Sequence, residues 1–142
     1  MTTARHDGRR SPGDGSRGLA CLAARAAAEK QAEDVVVLDV HDLIVITDYF
    51  VIASGASDRQ VATIAEEVEK SLRARGVKPF RREGEAGEQW LLLDFVDFVV
   101  HVFHEDVRDF YRLETLWGDA PRVAWEGEAR PAVPGAPSVV SG

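Results

Sequence analysis

The chain has 142 residues, 45% of them apolar, enough for one globular domain with a core and too few for a second of ordinary size. Its formal net charge is −7, and residues 18–117 hold 11 Lys and Arg against 19 Asp and Glu, which disfavours nucleic acid and an anionic membrane as primary ligands. A lone cysteine, Cys21, excludes an internal disulfide and a cysteine-based zinc cluster; without a signal-peptide core or an apolar run of ~18 residues, a cytoplasmic protein is expected.

Met1 to Arg17 is rich in Arg, Gly and Ser, with almost no large apolar side chains. Pro131, Pro134 and Pro137 interrupt the other end. Both ends read as disordered tails that cannot repay the entropy of ordering, so the expected domain is 18–122, with Trp125 as an alternative end, flanked by tails at 1–17 and 123–142. Leu19, Leu22, Ala23 and Ala26 recur at helical spacing within an alanine-rich run, and predict a first helix reaching Gln31. Asp34 to Val40 then reads as a strand buried on both faces, and Tyr49 to Ser54 as a second strand of β-branched and aromatic residues. The run between them suits either a continuing strand or a loop at the sheet edge.

Gly55 stops the second strand, and Ser57 with Gln60 forms the S-x-x-Q pattern of a capping box. Val61, Ile64, Ala65, Val68 and Leu72 form one apolar stripe of the helix that follows, with Glu66, Glu67, Glu69 and Lys70 on its wet side and Gly76 as its stop. Lys78 to Glu83 is a short candidate strand, and Trp90 to Asp94 and Phe98 to Phe103 are the strongest two, with Asp94 to Asp97 as the corner between them. Val107, Phe110, Leu113 and Trp117 predict a last amphipathic helix. The order α-β-β-α-β-β-β-α implies an α/β fold, a mixed sheet of about five strands with helices packed on it.

Alternation places Trp90, Leu92 and Asp94 on one strand face and Leu91, Leu93 and Phe95 on the other. Trp, Leu and a carboxylate together suit a docking surface as well as a partly covered sheet face with an Asp at its rim. Such a surface could also pair with its own copy, giving a homodimer of the free protein.

Catalytic chemistry finds little support. The segment from Ser54 to Asp58 resembles a phosphate cradle at a helix start, but it has one glycine and no lysine, and capping accounts for it. Asp94 and Asp97 could be imagined as a magnesium pair for nucleotidyl transfer. Residues three apart on a strand point to opposite faces, however, so turn capping is the better reading. His101 and His104 meet the same objection as metal ligands, and read as a satisfied sheet histidine and a helix-start residue. Arg59, Gln60 and Arg108 read as surface anchors or as ordinary solvated helix positions. No cofactor, metal or catalytic residue is expected.

Several blocks in order resemble the ribosomal silencing factor family, also called Iojap-related: S-G-x-S-x-R-Q-V at Ser54 to Val61, W-x-L-L-D at Trp90 to Asp94, V-V-H-V-F at Val99 to Phe103, and R-x-F-Y-x-L-E-x-L-W at Arg108 to Trp117. The resemblance spans about residues 18–122 and implies a nucleotidyltransferase-like fold without that activity. It further implies a translational repressor that binds the large ribosomal subunit at ribosomal protein uL14 and sterically blocks the small subunit from joining. A magnesium-dependent nucleotidyltransferase and a large-subunit assembly factor are the alternatives. The implied contact residues are Trp90, Leu92, Asp94, Phe95 and Asp97, with Tyr49, Arg59 and Tyr111. One departure concerns the corner, where the family's usual glycine is replaced by Val96. A β-branched residue tolerates positive φ poorly, so the corner must either use another turn or carry strain.

Overall fold

Short apolar runs bounded by turn residues hide their side chains most readily by pairing into one sheet and letting an amphipathic helix cover a face. The computed structural model describes residues 15–43, 46–84, 89–107, 118 and 120–126. Along it run α1 (Ser16–Glu29), β1 (Glu33–Asp39), β2 (Tyr49–Gly55), α2 (Asp58–Arg73), β3 (Arg81–Glu83), β4 (Trp90–Asp94) and β5 (Phe98–His104). The five strands form one mixed sheet in the order β1-β2-β5-β4-β3. Only the β2–β5 pair is parallel; the other neighbours are antiparallel. The expected α/β architecture is thus present, with α2 carrying the chain from β2 across the sheet to β3 at the far edge. A helical turn begins at Glu105, supported by His104 Nδ1 accepting from the Asp106 amide at 3.1 Å. The remainder of the last predicted helix, including Tyr111, lies outside the described residues.

One face of the sheet is sealed by helices. Ala20, Ala23, Ala24 and Ala27 of α1 are fully buried or nearly so, and their small side chains let the helix backbone approach closely. The α2 stripe, Val61, Ile64, Val68 and Leu72, is completely buried against Val51, Ala53, Leu91, Leu93, Val100 and Val102. Each such aliphatic side chain contributes about 1.5–3 kcal/mol. The stripe is wider than its periodicity suggests. Glu69, expected on the wet side, is buried and bridges Arg73 at 2.8 Å and Arg82 of β3 at 3.5 Å, because the twisted sheet brings its edge strand under that flank of the helix.

The helix start follows half of the expected capping box. Ser57 Oγ accepts from the Gln60 amide at 3.0 Å. The Gln60 side chain turns away from Ser57: its Oε1 accepts from the Ala56 amide at 2.6 Å, and its Nε2 donates to the carbonyls of Lys30 and Gln31, both at 3.1 Å. Gln60 therefore joins the start of α2 to the turn that ends α1, and is not a free surface anchor. Gly76, at φ 80°, closes α2 as expected, with the Val77 amide returning to the Leu72 carbonyl at 2.9 Å.

The chain beyond residue 122 also packs on the sheet. The Asp39 amide donates to the Pro121 carbonyl and the Val123 amide to the Val37 carbonyl, both at 2.8 Å, so this segment covers the outer edge of β1. Val123 is buried, and Trp125 donates from Nε1 to the Val35 carbonyl at 3.2 Å while packing on the helix-side core. An unpaired sheet edge and a tryptophan with its own partner outweigh the polar composition around them. Deleting 123–142 should therefore cost about 2–3 kcal/mol more than deleting 127–142, measured by urea unfolding. Equal stability of the two truncations would show that Val123 and Trp125 add nothing.

Candidate docking groove

The corner between β4 and β5 sets the geometry of the exposed sheet face. Val96 sits at φ 76°, and the Asp97 amide donates to the Phe95 carbonyl at 2.9 Å, closing a three-residue turn of the strained hand. Asp94 Oδ1 accepts from the Val96 amide at 2.8 Å and so holds the turn. The Phe95 amide donates to the Phe98 carbonyl, and the Asp97 carbonyl accepts from the Asp48 and Tyr49 amides at 2.9 and 3.3 Å. The corner is thus tied to the loop entering β2. Of the two possibilities raised by Val96, strain is the one realised. Asp94 acts as a turn cap, with its Oδ2 3.5 Å from Arg81.

Beyond this corner, on the face away from α1 and α2, lies a groove of ≈ 550 Å³. Its floor comes from Phe50, Leu92, Val99 and His101, which the register of β2, β5 and β4 brings side by side. Ile46 and Thr47 approach from the loop before β2, Phe80 and Arg81 from the start of β3, and Val96 from the corner. Ile46 is 81%, Phe80 75% and Val96 52% exposed. A ring of wet apolar side chains around an apolar floor marks an interaction surface far more often than a monomer surface.

An aromatic row runs along the same face. Trp90 stacks on His101 and Phe103 with ring centroids 6.0 and 5.5 Å apart, and Phe50 meets His101 edge-on at 5.2 Å. His101 Nδ1 accepts from Trp90 Nε1 at 3.3 Å, while its Nε2, like Thr47 Oγ1, is buried without a partner among the described residues. His101 is therefore only half satisfied, contrary to the sequence expectation. Burial pushes its pKa down from 6.5 to about 4.

The expected contact residues divide between the two faces. Trp90, Leu92 and Asp94 share the groove face, with Leu92 and Asp94 lining it, and Asp97 stands at the corner. Phe95 points the other way, buried and stacked on Phe98 at 4.8 Å, so it cannot serve as a surface contact. Tyr49 packs on the helix-side core, where burial and the Asp39 carboxylate raise its pKa. Arg59 is exposed at the start of α2, on the helix side of the sheet. Tyr111 lies outside the described residues. Ile46, Thr47, Phe50, Phe80, Val99 and His101 were not foreseen. Alternation along β5 could have placed Val99 and His101 beside Leu92, but loop residues carry no periodic signal.

Comparison with known proteins identifies the family. A family model described as ribosomal silencing factor during starvation (RsfS) matches residues 14–138. The chain belongs to this family. A ribosomal silencing factor of Halalkalibacterium halodurans is 46% identical over 106 residues, covering 75% of this chain and 91% of the relative. A mouse relative named mitochondrial assembly of ribosomal large subunit protein 1 is 34% identical over 92 residues, covering 63% of this chain and 40% of the relative. An X-ray structure of a Chromobacterium violaceum protein superposes with a TM-score of 0.70 at 34% identity, covering 81% of this chain and 96% of that one. As a member of the silencing factors, the chain has the mixed five-strand sheet expected for it.

The strained corner and the buried histidine each have a measurable consequence. Val96→Gly should raise stability by about 1 kcal/mol, because glycine adopts positive φ without a Cβ penalty that exceeds its extra unfolded-state entropy. Urea unfolding reads this, and a loss of stability would show that the turn is not strained at Val96. His101 is neutral in the folded state down to about pH 4, whereas the unfolded chain takes up this proton near 6.5. Its contribution is therefore full above pH 6.5 and falls as pH drops toward 4, by at most about 3 kcal/mol. His101→Gln should flatten the stability profile in that window; an unchanged profile would contradict a buried neutral imidazole.

Proposed function

We propose that this protein is a translational repressor that binds the large ribosomal subunit at ribosomal protein uL14 and blocks the small subunit from joining. The apolar groove carries this reading, because a silencing-factor domain with Ile46, Phe80 and Val96 left wet around Leu92 has a ready-made docking face. An acidic chain with a net charge of −7 is suited to a basic ribosomal protein, with protein and not nucleic acid as the primary ligand. Leu92 supplies the apolar anchor, Trp90 flanks the floor beside His101, and Asp97 meets cationic groups at the corner. Asp94 supports the surface by capping the turn beside it. The reading is non-enzymatic and cytoplasmic. Asp94 is already committed to a backbone amide, which argues against a magnesium-dependent nucleotidyltransferase, and no group of three or more His, Cys, Asp or Glu suited to a metal occurs among the described residues. No helix among those residues is long and apolar enough to cross a membrane.

A homodimer of the free protein is part of the same proposal. Two copies could shield the ring around the groove until the ribosome competes for it. The name of the mouse relative favours a second role in large-subunit assembly, which uses the same contact with the subunit.

Light scattering during subunit mixing tests the repression. The protein should slow joining of separated subunits far more than it splits assembled ribosomes, since the shared surface is covered once the subunits have met. Leu92→Asp, which places a charge on the groove floor, should weaken inhibition at least tenfold while unfolding cooperatively. Full inhibition by the folded variant would place docking on another face.

A further inference from the structure

Charge is spread unevenly along this acidic chain. Residues 70–82 carry six cations, Lys70, Arg73, Arg75, Lys78, Arg81 and Arg82, and no carboxylate, whereas the rest of the chain holds 11 Lys and Arg against 24 Asp and Glu. All six are exposed. They run from the last turn of α2, through the turn closed by Gly76, to β3, the outermost strand of the sheet. Three carboxylates reach into this patch: Glu69 pairs with Arg73 and Arg82, and Glu83 and Asp94 pair with Arg81. Six cations against three carboxylates leave a surplus of three positive charges. Structural duties account for part of the pattern. The negative end of the α2 dipole favours Lys70, Arg73 and Arg75, and charged side chains on β3 keep a sheet edge from pairing with other chains. Lys78 lies between the two elements and serves neither duty, and neither requires the surplus.

We propose that this patch is a second contact, binding RNA phosphates beside the ribosomal protein that the groove engages. It rests on the docking role argued above and adds a ligand of opposite charge to it. Phe80 and Arg81 line the groove while Arg82 reaches Glu69 on the helix side, so the patch begins at the groove rim and wraps the β3 edge. A basic ribosomal protein is seated among the phosphates it neutralises, and a body pressed against it brings its neighbouring surface to them. Arginine forks and lysine ammonium groups, distributed over a turn and both sides of a strand, suit a row of phosphate oxygens. An acidic peptide fits less well, because Phe80, the exposed large apolar side chain within the patch, belongs to the groove rim and leaves no separate anchor for it. The acidic remainder of the chain repels free RNA. The phosphates are therefore met once the groove has docked, and they add to affinity without being the primary ligand.

Sedimentation with isolated large ribosomal subunits at several salt concentrations reads the contact. Lys70 and Lys78 are exposed and make no ion pair among the described residues, so the double variant Lys70→Ala, Lys78→Ala should fold as the wild type does. A fourfold rise in salt should cost this variant about tenfold less binding than it costs the wild type, since each lost phosphate contact lowers the logarithmic salt slope by about one. Its binding to isolated uL14 should be unchanged. Iron–EDTA tethered to the thiol of Lys78→Cys reads position directly: Cys21 is buried, so the new thiol alone is labelled, and the bound protein should cut large-subunit RNA. Equal salt slopes, or no RNA cleavage by the bound Lys78→Cys protein, would overturn the phosphate contact and leave groove docking in place. Weakened binding of the double variant to isolated uL14 would assign the patch to protein and overturn the contact as well. Wild-type subunit binding by folded Leu92→Asp would remove the groove reading, and the phosphate contact with it.

Discussion

Everything on the exposed face depends on the register between β4 and β5. Pairing Leu92 with His101 and Trp90 with Phe103 puts all four side chains on one side of the sheet, and Leu91 and Leu93 on the other with Val102 and Val100. A slip of one residue would exchange the two sets, because strand side chains alternate with period two. The short corner prevents the slip. With a single residue, Val96, reversed to positive φ and the Asp94 carboxylate on its amide, the turn admits one alignment of the strands it joins. A strained backbone and a carboxylate with a structural duty are both consequences of that constraint.

The two faces then have different fates. On the helix side, α1 brings alanines and α2 brings branched aliphatics, and together they seal the sheet to near-complete burial. The other side is covered only in part: Phe103, Ile52, Leu38 and Val40 are buried with Ala120, while the end near the corner remains open around Leu92. Stability comes mainly from the first face.

Much of the architecture was legible in the residues. The helical stripe from Val61 to Leu72, the glycine stop at Gly76, the strands and their order all reappear, because each rests on a local periodicity or a local backbone requirement. Glu69 and Gln60 show where such reasoning ends. A helix stripe specifies which side faces a partner but not how wide that partner is, so Glu69 read as wet until the sheet's edge strand came to lie beside it. Gln60 had the sequence of a capping residue, yet its amide reaches carbonyls about 30 positions earlier, an encounter that only chain reversal creates.

The sequence by itself determined that this is an acidic α/β domain, that it belongs with the ribosomal silencing factors, and that Trp90, Leu92 and Asp94 share a strand face. Those properties are written in composition, in ordered motifs and in a period of two. Only the tertiary structure decided that Phe95 and Tyr49 turn to the helix-side core, and that Val123 and Trp125 close a sheet edge. It also placed Ile46, Thr47 and Phe80, from segments far apart in the chain, around Leu92 and His101 as a single groove. A sequence pattern reports which side of an element is apolar; which elements meet there, and which polar atoms they leave unpaired, follows from non-local packing that no local pattern encodes.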